Sequence, residues 1–300
     1  MSVILLYHGV YKKKLYGIQN YSGKHIHIDV FNKQMKWLKK NCILVNLNEF
    51  CSIKGIKSKK KIVSITFDDS YKNVYTNAIP ILNKYKIPAT FFINTGFINN
   101  NKFYWTDYLE ILFNLTKEKN LSLNYSPIFL KKKFDIKTNK KKISTIIFIK
   151  EKLKNIIKNE RNKIINIIKY NLHVKKLKYT NSENYKTLTW KEVKKINNFL
   201  RYEIGGHTTN HEILTFLNEN ELKKEVDDCI EKIKKKLNNE TNLFSYPEGK
   251  FNNFSINRLK KNFIKICPTA ASGINKKNTS NFFLKRYMPG FMQQKFPLKI

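Results

Sequence analysis

The stretch Ile62–Asn73, IVSITFDDSYKN, constrains this chain more than any other. Ile62–Phe67 is a short apolar run rich in β-branched residues, which reads as a buried strand. It ends in two adjacent carboxylates, Asp68 and Asp69, followed by Ser70. Two acids at the mouth of a buried strand are costly to desolvate unless a cation or a proton shares the site. Asp and Ser ahead of an amphipathic segment also cap helices. The pair alone is therefore either a cap or half of a charged site, and the rest of the chain has to decide.

The flanking sequence alternates. Val3–Tyr7 reads as a strand ending at His8, and Asp29 precedes Phe31, Met35 and Leu38 at helical spacing. Ile43–Leu47 reads as a strand, Val74, Ala78, Leu82 and Tyr85 as one helical face, and Ala89–Asn94 as a strand closed by Gly96. Strand–helix alternation is the pattern of an α/β fold with a parallel sheet or barrel. From about 108 to 186 the pattern is lost. Lys131–Lys133 and Lys140–Lys142 are charge runs, and Ile143–Tyr170 is an Ile/Lys/Asn-rich helical segment or pair of segments. This stretch reads as a mostly helical insertion in a single domain spanning 1–300. It packs on its own domain, or serves as a lid, a dimer surface or a membrane contact. Alternation resumes at the capping box Thr189/Glu192. A strand at Arg201–Gly206 ends at His207, Asn218 and Glu221 open a helix through Leu237, and strands are expected at Leu243–Tyr246, Phe263–Cys267 and Phe283–Tyr287.

A formal charge of +36 suggests polyanion binding, but only four of the 58 basic residues are arginine (161, 201, 258 and 286). Phosphate- and base-reading surfaces favour Arg forks, and abundant Lys, Asn and Ile are what an AT-rich coding sequence produces. Nucleic acid is not expected as a partner; an anionic membrane surface is compatible. Four cysteines (42, 51, 229 and 267) form no CxxC and read as reduced, buried residues. The opening MSVILLYHGV lacks a basic n-region and reads as a strand, and no run of about 18 apolar residues occurs. A cytoplasmic location is the expectation.

Two of the six histidines form His207-Thr208-Thr209-Asn210-His211, directly after a strand. On a helix or helical turn, i and i+4 would put both imidazoles on one face. Like the acidic pair, they follow the C-terminal end of a strand, the face where barrels assemble active sites. Two neutral imidazoles and one carboxylate with open positions are a catalytic metal set.

TFDDS (66–70), HTTNH (207–211) and SYPEGKF (245–251), in that order, resemble the motifs of the polysaccharide deacetylases of the NodB-homology, carbohydrate esterase family 4 type. LLYHGV (5–10), ATFFINTG (89–96), LTWKEV (188–193) and FYWTDYL (103–109) support the resemblance, which covers nearly all of the chain outside about 108–186. It implies a distorted (β/α) barrel and a divalent metal, usually Zn2+. Asp69, His207 and His211 would be the metal ligands and Asp68 the general base, acting on a metal-bound water. A backbone N–H near Tyr246 would help hold the oxyanion. Two departures stand out. The third motif often starts with an arginine that tethers the base, whereas this chain has Ser245; Arg286 is the candidate replacement. Glu248 stands where an aromatic residue is common.

No histidine follows His211, so the late histidine many members use as general acid is missing, and His8 is the candidate acid. Tyr246, Pro247, Glu248, Trp105 and Arg286 are grouped as candidate substrate-site residues, with Tyr246, Trp105 and Trp190 able to stack on a sugar. His25, His27 and His173 are assigned to the surface, and Ser70 alone keeps the cap role. The implied function is metal-dependent N-deacetylation of an amino sugar in a saccharide or glycan precursor, lipid-linked at the inner face of the membrane. The alternatives are a deformylase or O-acetyl esterase on a lipid-linked saccharide, or a lysine-rich polyanion-binding protein.

Overall fold

A computed structural model describes residues 1–100, 102–125, 129–177 and 183–289. Its strands are β1 (Ser2–Tyr7), β2 (Gly9–Tyr11), β3 (His25–His27), β4 (Cys42–Val45), β5 (Lys61–Phe67), β6 (Ala89–Ile93), β7 (Asn120–Tyr125), β8 (Phe129–Asp135) and β9 (Tyr202–Gly206). The α-helices are α1 (Ile28–Asn41), α2 (Leu47–Ile53), α3 (Ile79–Lys84), α4 (Trp105–Leu115), α5 (Asn139–Leu153), α6 (Lys158–Asn171), α7 (Trp190–Asn197), α8 (Glu219–Leu237) and α9 (Asn253–Lys261). The chain divides into two compact units.

The first unit comprises Met1–Lys12, Ser22–Lys102 and Lys186 onward. Its sheet runs β1-β5-β6-β9, all parallel, with β4 also beside β5. β1 and β6 are buried at every position, as strands covered on both faces must be. The register pairs Tyr7 with Phe67, Phe67 with Phe91 and Ile93 with Gly206. The residues that leave these four strands, His8, Asp68, Asn94 and His207, therefore emerge at one end of the sheet.

Beyond β9 the expected strands shrink. Leu243–Tyr246, Phe263–Cys267 and Phe283–Tyr287 contribute only single parallel bridges: Gly206 to Phe244, Leu243 to Ile266, Pro268 to Leu284 and Tyr287 to Leu5. Pro247 and Pro268 lack the N–H that would extend a ladder. The bridges lead from β9 back to β1, but among the described residues no continuous ladder closes the ring. Leu47, expected in a strand, instead opens α2, because the Asn46 side chain accepts from the Glu49 N–H. The helical face at Val74–Tyr85 is split. Val74–Ala78 is a π-helical turn and α3 follows, with Pro80 unable to donate the bond an α-helix would need there.

The second unit joins Lys13–Tyr21 to Phe103–Tyr185. It holds α4, α5 and α6 together with the antiparallel hairpin β7–β8, which the sequence pattern did not announce. Its core collects Ile18, Leu112, Phe113, Ile146, Ile149, Ile164 and Ile168. The contribution of Lys13–Tyr21 carries no sequence signal; Asn114 Oδ1 and Glu110 Oε1 hold it by accepting from the N–H groups of Ile18 and Asn20.

Candidate active site

Asp68 and Asp69 are only 3% and 8% exposed. Asp69 adopts φ 64°, a left-handed conformation that turns the chain out of β5 at once. The Ser70 hydroxyl accepts from the Asn94 N–H at 2.9 Å, tying the end of β5 to the end of β6.

Asp68 faces a guanidinium. Arg286 donates to both of its oxygens, Nη1 to Oδ1 and Nη2 to Oδ2, each at 2.7 Å. The Ser245 hydroxyl donates to Oδ2 at 3.0 Å and accepts from Arg286 Nη2 at 3.0 Å. Arg286 Nε is held by the Thr269 carbonyl at 2.7 Å. With 1% of its surface exposed, Arg286 orients the base rather than reaching a ligand. Burial alone would raise the Asp68 pKa, but Arg286, His207 and His8 together hold the carboxyl well below the usual range. A small residue at 245 makes room for an arginine delivered by another segment. That segment is fixed against β1 through Tyr287 N to Ile4 O and Leu6 N to Tyr287 O, at 2.8 and 2.7 Å.

His207 and His211 meet without a helix. Thr208 (φ 66°) and His211 (φ 58°) are both left-handed, so residues 207–211 form a tight loop and the expected helical turn is absent. Glu225 of α8 clamps it, accepting from Asn210 N at 2.7 Å and Asn210 Nδ2 at 2.8 Å. Gly96 lies against its other side. The Gly96 N–H donates to Thr209 O at 2.8 Å, and a Cβ there would stand 2.6 Å from that oxygen. Asn94 Nδ2 also donates to the His207 carbonyl.

The loop sets His207 Nε2 3.7 Å and His211 Nε2 3.4 Å from Asp69 Oδ1. One ligand atom from each of the three residues lies within 4.8 Å of the others. Ligands about 2.0–2.1 Å from a tetrahedral ion are roughly 3.3–3.4 Å apart, so the trio fits a divalent ion with little movement. His207 Nδ1 lies 2.7 Å from the Ser245 carbonyl, which places the ring proton there and turns the Nε2 lone pair toward Asp69. Burial lowers the pKa of both imidazoles and keeps them neutral, as metal ligands must be.

His8 leaves β1 beside Asp68, whose N–H bonds Tyr7 O at 2.9 Å. Burial pushes its imidazole down to about 3; Asp68 opposes this, while Lys24, Arg286 and His207 add to it. His25, assigned to the surface from sequence, is 5% exposed. The parallel pairing of β2 with β3 turns it inward, where Nδ1 sits 3.0 Å from Asn73 Nδ2 and the ring packs edge-on to Tyr71 at 4.6 Å. Lys24 donates to the Tyr71 hydroxyl, and its charge acts on His8, His25 and His211. Neither Lys24 nor His25 carries a motif, and three-residue strands leave no periodicity to read. His27 caps α1, and the His173 side chain is exposed.

Tyr246 and Pro247 are buried, so the Tyr246 ring packs in the core and offers no stacking face. Trp190 is likewise in the core. Glu248 is half-buried with φ 54°, and its charge reaches His211. Trp105 belongs to the second unit, where the Arg161 guanidinium lies 5.4 Å from its ring.

Parallel strands that converge on two aspartates and two histidines define a distorted (β/α) barrel of the NodB-homology type. The chain belongs to the polysaccharide deacetylase family, matching it over residues 55–123 and 135–266. A poly-beta-1,6-N-acetyl-D-glucosamine N-deacetylase of Staphylococcus aureus is 42% identical over 95 residues, 31% of this chain and 32% of that protein. Its counterpart from Staphylococcus epidermidis is 39% identical over 89 residues, 29% and 30% of the two chains. The alignments thus span about a third of the curated relatives. Among solved structures, the Streptococcus pyogenes deacetylase PplD in complex with acetate superposes with a TM-score of 0.60 at 18% identity, covering 95% of this chain and 91% of that one. IcaB from Ammonifex degensii gives 0.58 at 16% identity, with 96% and 91% covered. At such identities the likeness concerns the fold.

Proposed function

We propose that this protein is a carbohydrate N-deacetylase that hydrolyses N-acetyl groups of an amino-sugar polymer or glycan precursor and releases acetate. The observation that carries the reading is an ionised, buried Asp68, fixed by Arg286 and Ser245, beside the converging Asp69, His207 and His211. The relatives named for poly-beta-1,6-N-acetyl-D-glucosamine suggest an N-acetylglucosamine polymer.

A divalent ion held by Asp69, His207 and His211, most simply Zn2+, would polarise the acetamide carbonyl and acidify a water. Asp68 is held ionised and oriented to take the proton from that attacking water. A backbone N–H near Tyr246 would help to hold the negative charge that develops on the carbonyl oxygen. When the C–N bond breaks, the departing amine takes up a proton and acetate leaves. His8, just past the end of β1, is the candidate proton donor, but its burial keeps it neutral at rest. It would therefore pass on a proton received during the cycle. Glu248, whose charge reaches His211, is proposed to line the substrate path.

Acetate release from N-acetylglucosamine oligomers, with and without chelator, together with metal analysis of the purified protein, tests the reading. A wild-type protein with no bound metal and no hydrolysis would sink it. Formyl and O-acetyl substrates run in parallel separate the deformylase and esterase alternatives, since the same carboxylate–water chemistry serves all three. A lysine-driven polyanion binder would instead bind with steep salt dependence and ignore chelator.

We further propose a substrate presented at the anionic inner face of a membrane. The net charge of +36 supports this, and among the described residues no helix is long and apolar enough to cross one. Flotation of the intact protein with anionic liposomes tests it; no association removes this part.

A further inference from the structure

The proton that His8 passes to the departing amine has to come from a group that holds one at neutral pH. Burial keeps the imidazole itself neutral, and an arginine such as Arg286 does not release its proton. Lys24 is placed to be that group. Gly9 pairs with His25 where β2 and β3 run parallel. His8 and Lys24, each one position earlier, therefore enter the pair side by side, with their side chains on the same face. The strands are pressed together at that point: a Cβ on Gly9 would lie 1.9 Å from His25 Nδ1 and 2.6 Å from Asn73 Oδ1. Asn77 Nδ2 donates to the Val10 carbonyl at 2.7 Å and holds β2 to the π-helical turn.

The Lys24 ammonium has little freedom. It donates to the Tyr71 hydroxyl and lies 4.6 Å from the centre of that ring, which is buried and stands two residues past Asp69. A cation held over an aromatic face and hydrogen-bonded to its hydroxyl is fixed by two different contacts. Its charge reaches His8, His25 and His211. Lys24 is half-buried, so solvent still reaches its side chain.

We infer that Lys24 is the proton source for the departing amine and acts through His8. A neutral imidazole has one N–H and one lone pair. As the C–N bond breaks, the leaving nitrogen takes the His8 proton, and the other His8 nitrogen takes one from Lys24 Nζ. Lys24 regains a proton from solvent, which also receives the one that Asp68 took from the attacking water. The enzyme thus ends the cycle as it began. The timing follows from basicity. A lysine ammonium ordinarily releases its proton near about pH 10.4, and only a nitrogen that is losing its acyl carbon is basic enough to draw it. Burial and the neighbouring ammonium both oppose an imidazolium, so His8 does not keep the proton it receives. The assignment rests on the hydrolase reading of the catalytic site.

The experiment compares wild type, Lys24→Met and Lys24→Arg on three acetyl substrates that differ in leaving group. These are N-acetylglucosamine oligomers, an alkyl acetate, and 4-nitrophenyl acetate, whose phenolate departs without a proton. Lys24→Met is expected to lower kcat about 10²-fold more on the oligomers and the alkyl acetate than on the nitrophenyl ester, with KM little changed. Arginine keeps the charge and the ring contact but holds its proton, so Lys24→Arg should show the same leaving-group pattern. Wild-type rates in Lys24→Arg, or equal losses on all three leaving groups, overturn the inference and make Lys24 a structural charge. Each comparison is a ratio within one variant, so a smaller folded fraction cancels. If the wild type hydrolyses both esters and leaves the oligomers intact, the deacetylase reading fails, while the alkyl-to-aryl ratio still decides the role of Lys24. A wild type that cleaves none of the three sinks both.

Discussion

Asp68 is a base whose charge is settled by its neighbours rather than by solvent. Replacing it with Asn keeps the shape and removes the proton acceptor, so Asp68→Asn should lower kcat by about 10²–10⁴-fold while metal content stays at the wild-type level. His207→Ala should lose the metal itself. Arg286→Leu leaves a buried carboxylate without its counter-charge and should cost about 3–5 kcal/mol in denaturant melts. Adding Asp68→Asn should return most of that loss, because the stranded charge is then gone; additive penalties in the double mutant would contradict the pairing. The two aspartates and the histidine pair were readable because each occupies a few consecutive positions at a strand end. Arg286 was readable only through the resemblance, as the candidate replacement for the arginine that the third motif lacks at Ser245. Lys24 and His25 were not readable at all, since what brings them to the site is a three-residue strand pairing.

At the scale of elements, the site depends on acids that clamp loops and helix starts. Glu225 holds the loop 207–211 in a shape with two left-handed residues. Glu225→Leu should weaken metal affinity about 10–100-fold by freeing that loop, as loss of outer-shell support does elsewhere. Chelator competition reads the change, and unaltered affinity would mean that Gly96 and Asn94 suffice. Glu203 of β9 does similar work for α2. Its carboxylate accepts from Leu47 N at 2.9 Å, Asn48 Nδ2 at 2.9 Å and Thr90 Oγ1 at 2.6 Å. Glu203→Ala should lower stability by about 1–3 kcal/mol, seen as a reduced urea midpoint. Helix positions were legible where caps announced them, as at Thr189/Glu192 and Asn218/Glu221. The i, i+4 spacing of the histidines left the conformation of 207–211 open, because spacing does not reveal φ. The late strands were overestimated because apolar runs next to proline keep the pattern of a strand without its ladder.

Across the whole molecule, four histidines, 8, 25, 207 and 211, are held by burial below their ordinary range. Unfolded, each titrates near pH 6.5. Below that pH the unfolded chain takes up protons that the native state resists, so stability falls on acidification. The loss approaches about 1.4 kcal/mol per pH unit for each histidine until its folded pKa is reached, for His8 near 3. The thermal midpoint of the metal-free protein should therefore drop steadily from pH 7 to pH 5, and His8→Gln should flatten part of the slope. A midpoint independent of pH over that window would contradict the burial of these rings.

The docking of Arg286 against β1 also sets an order of events during synthesis. Residues 1–69 can collapse early, yet their deepest acid then has no partner, because the guanidinium is encoded more than two hundred codons later. A nascent chain must keep this end of the sheet open or protonated until position 286 clears the ribosome tunnel. A message truncated anywhere before that codon would remove the counter-ion of its first half, and cellular quality control would meet a protein broken far from the cut.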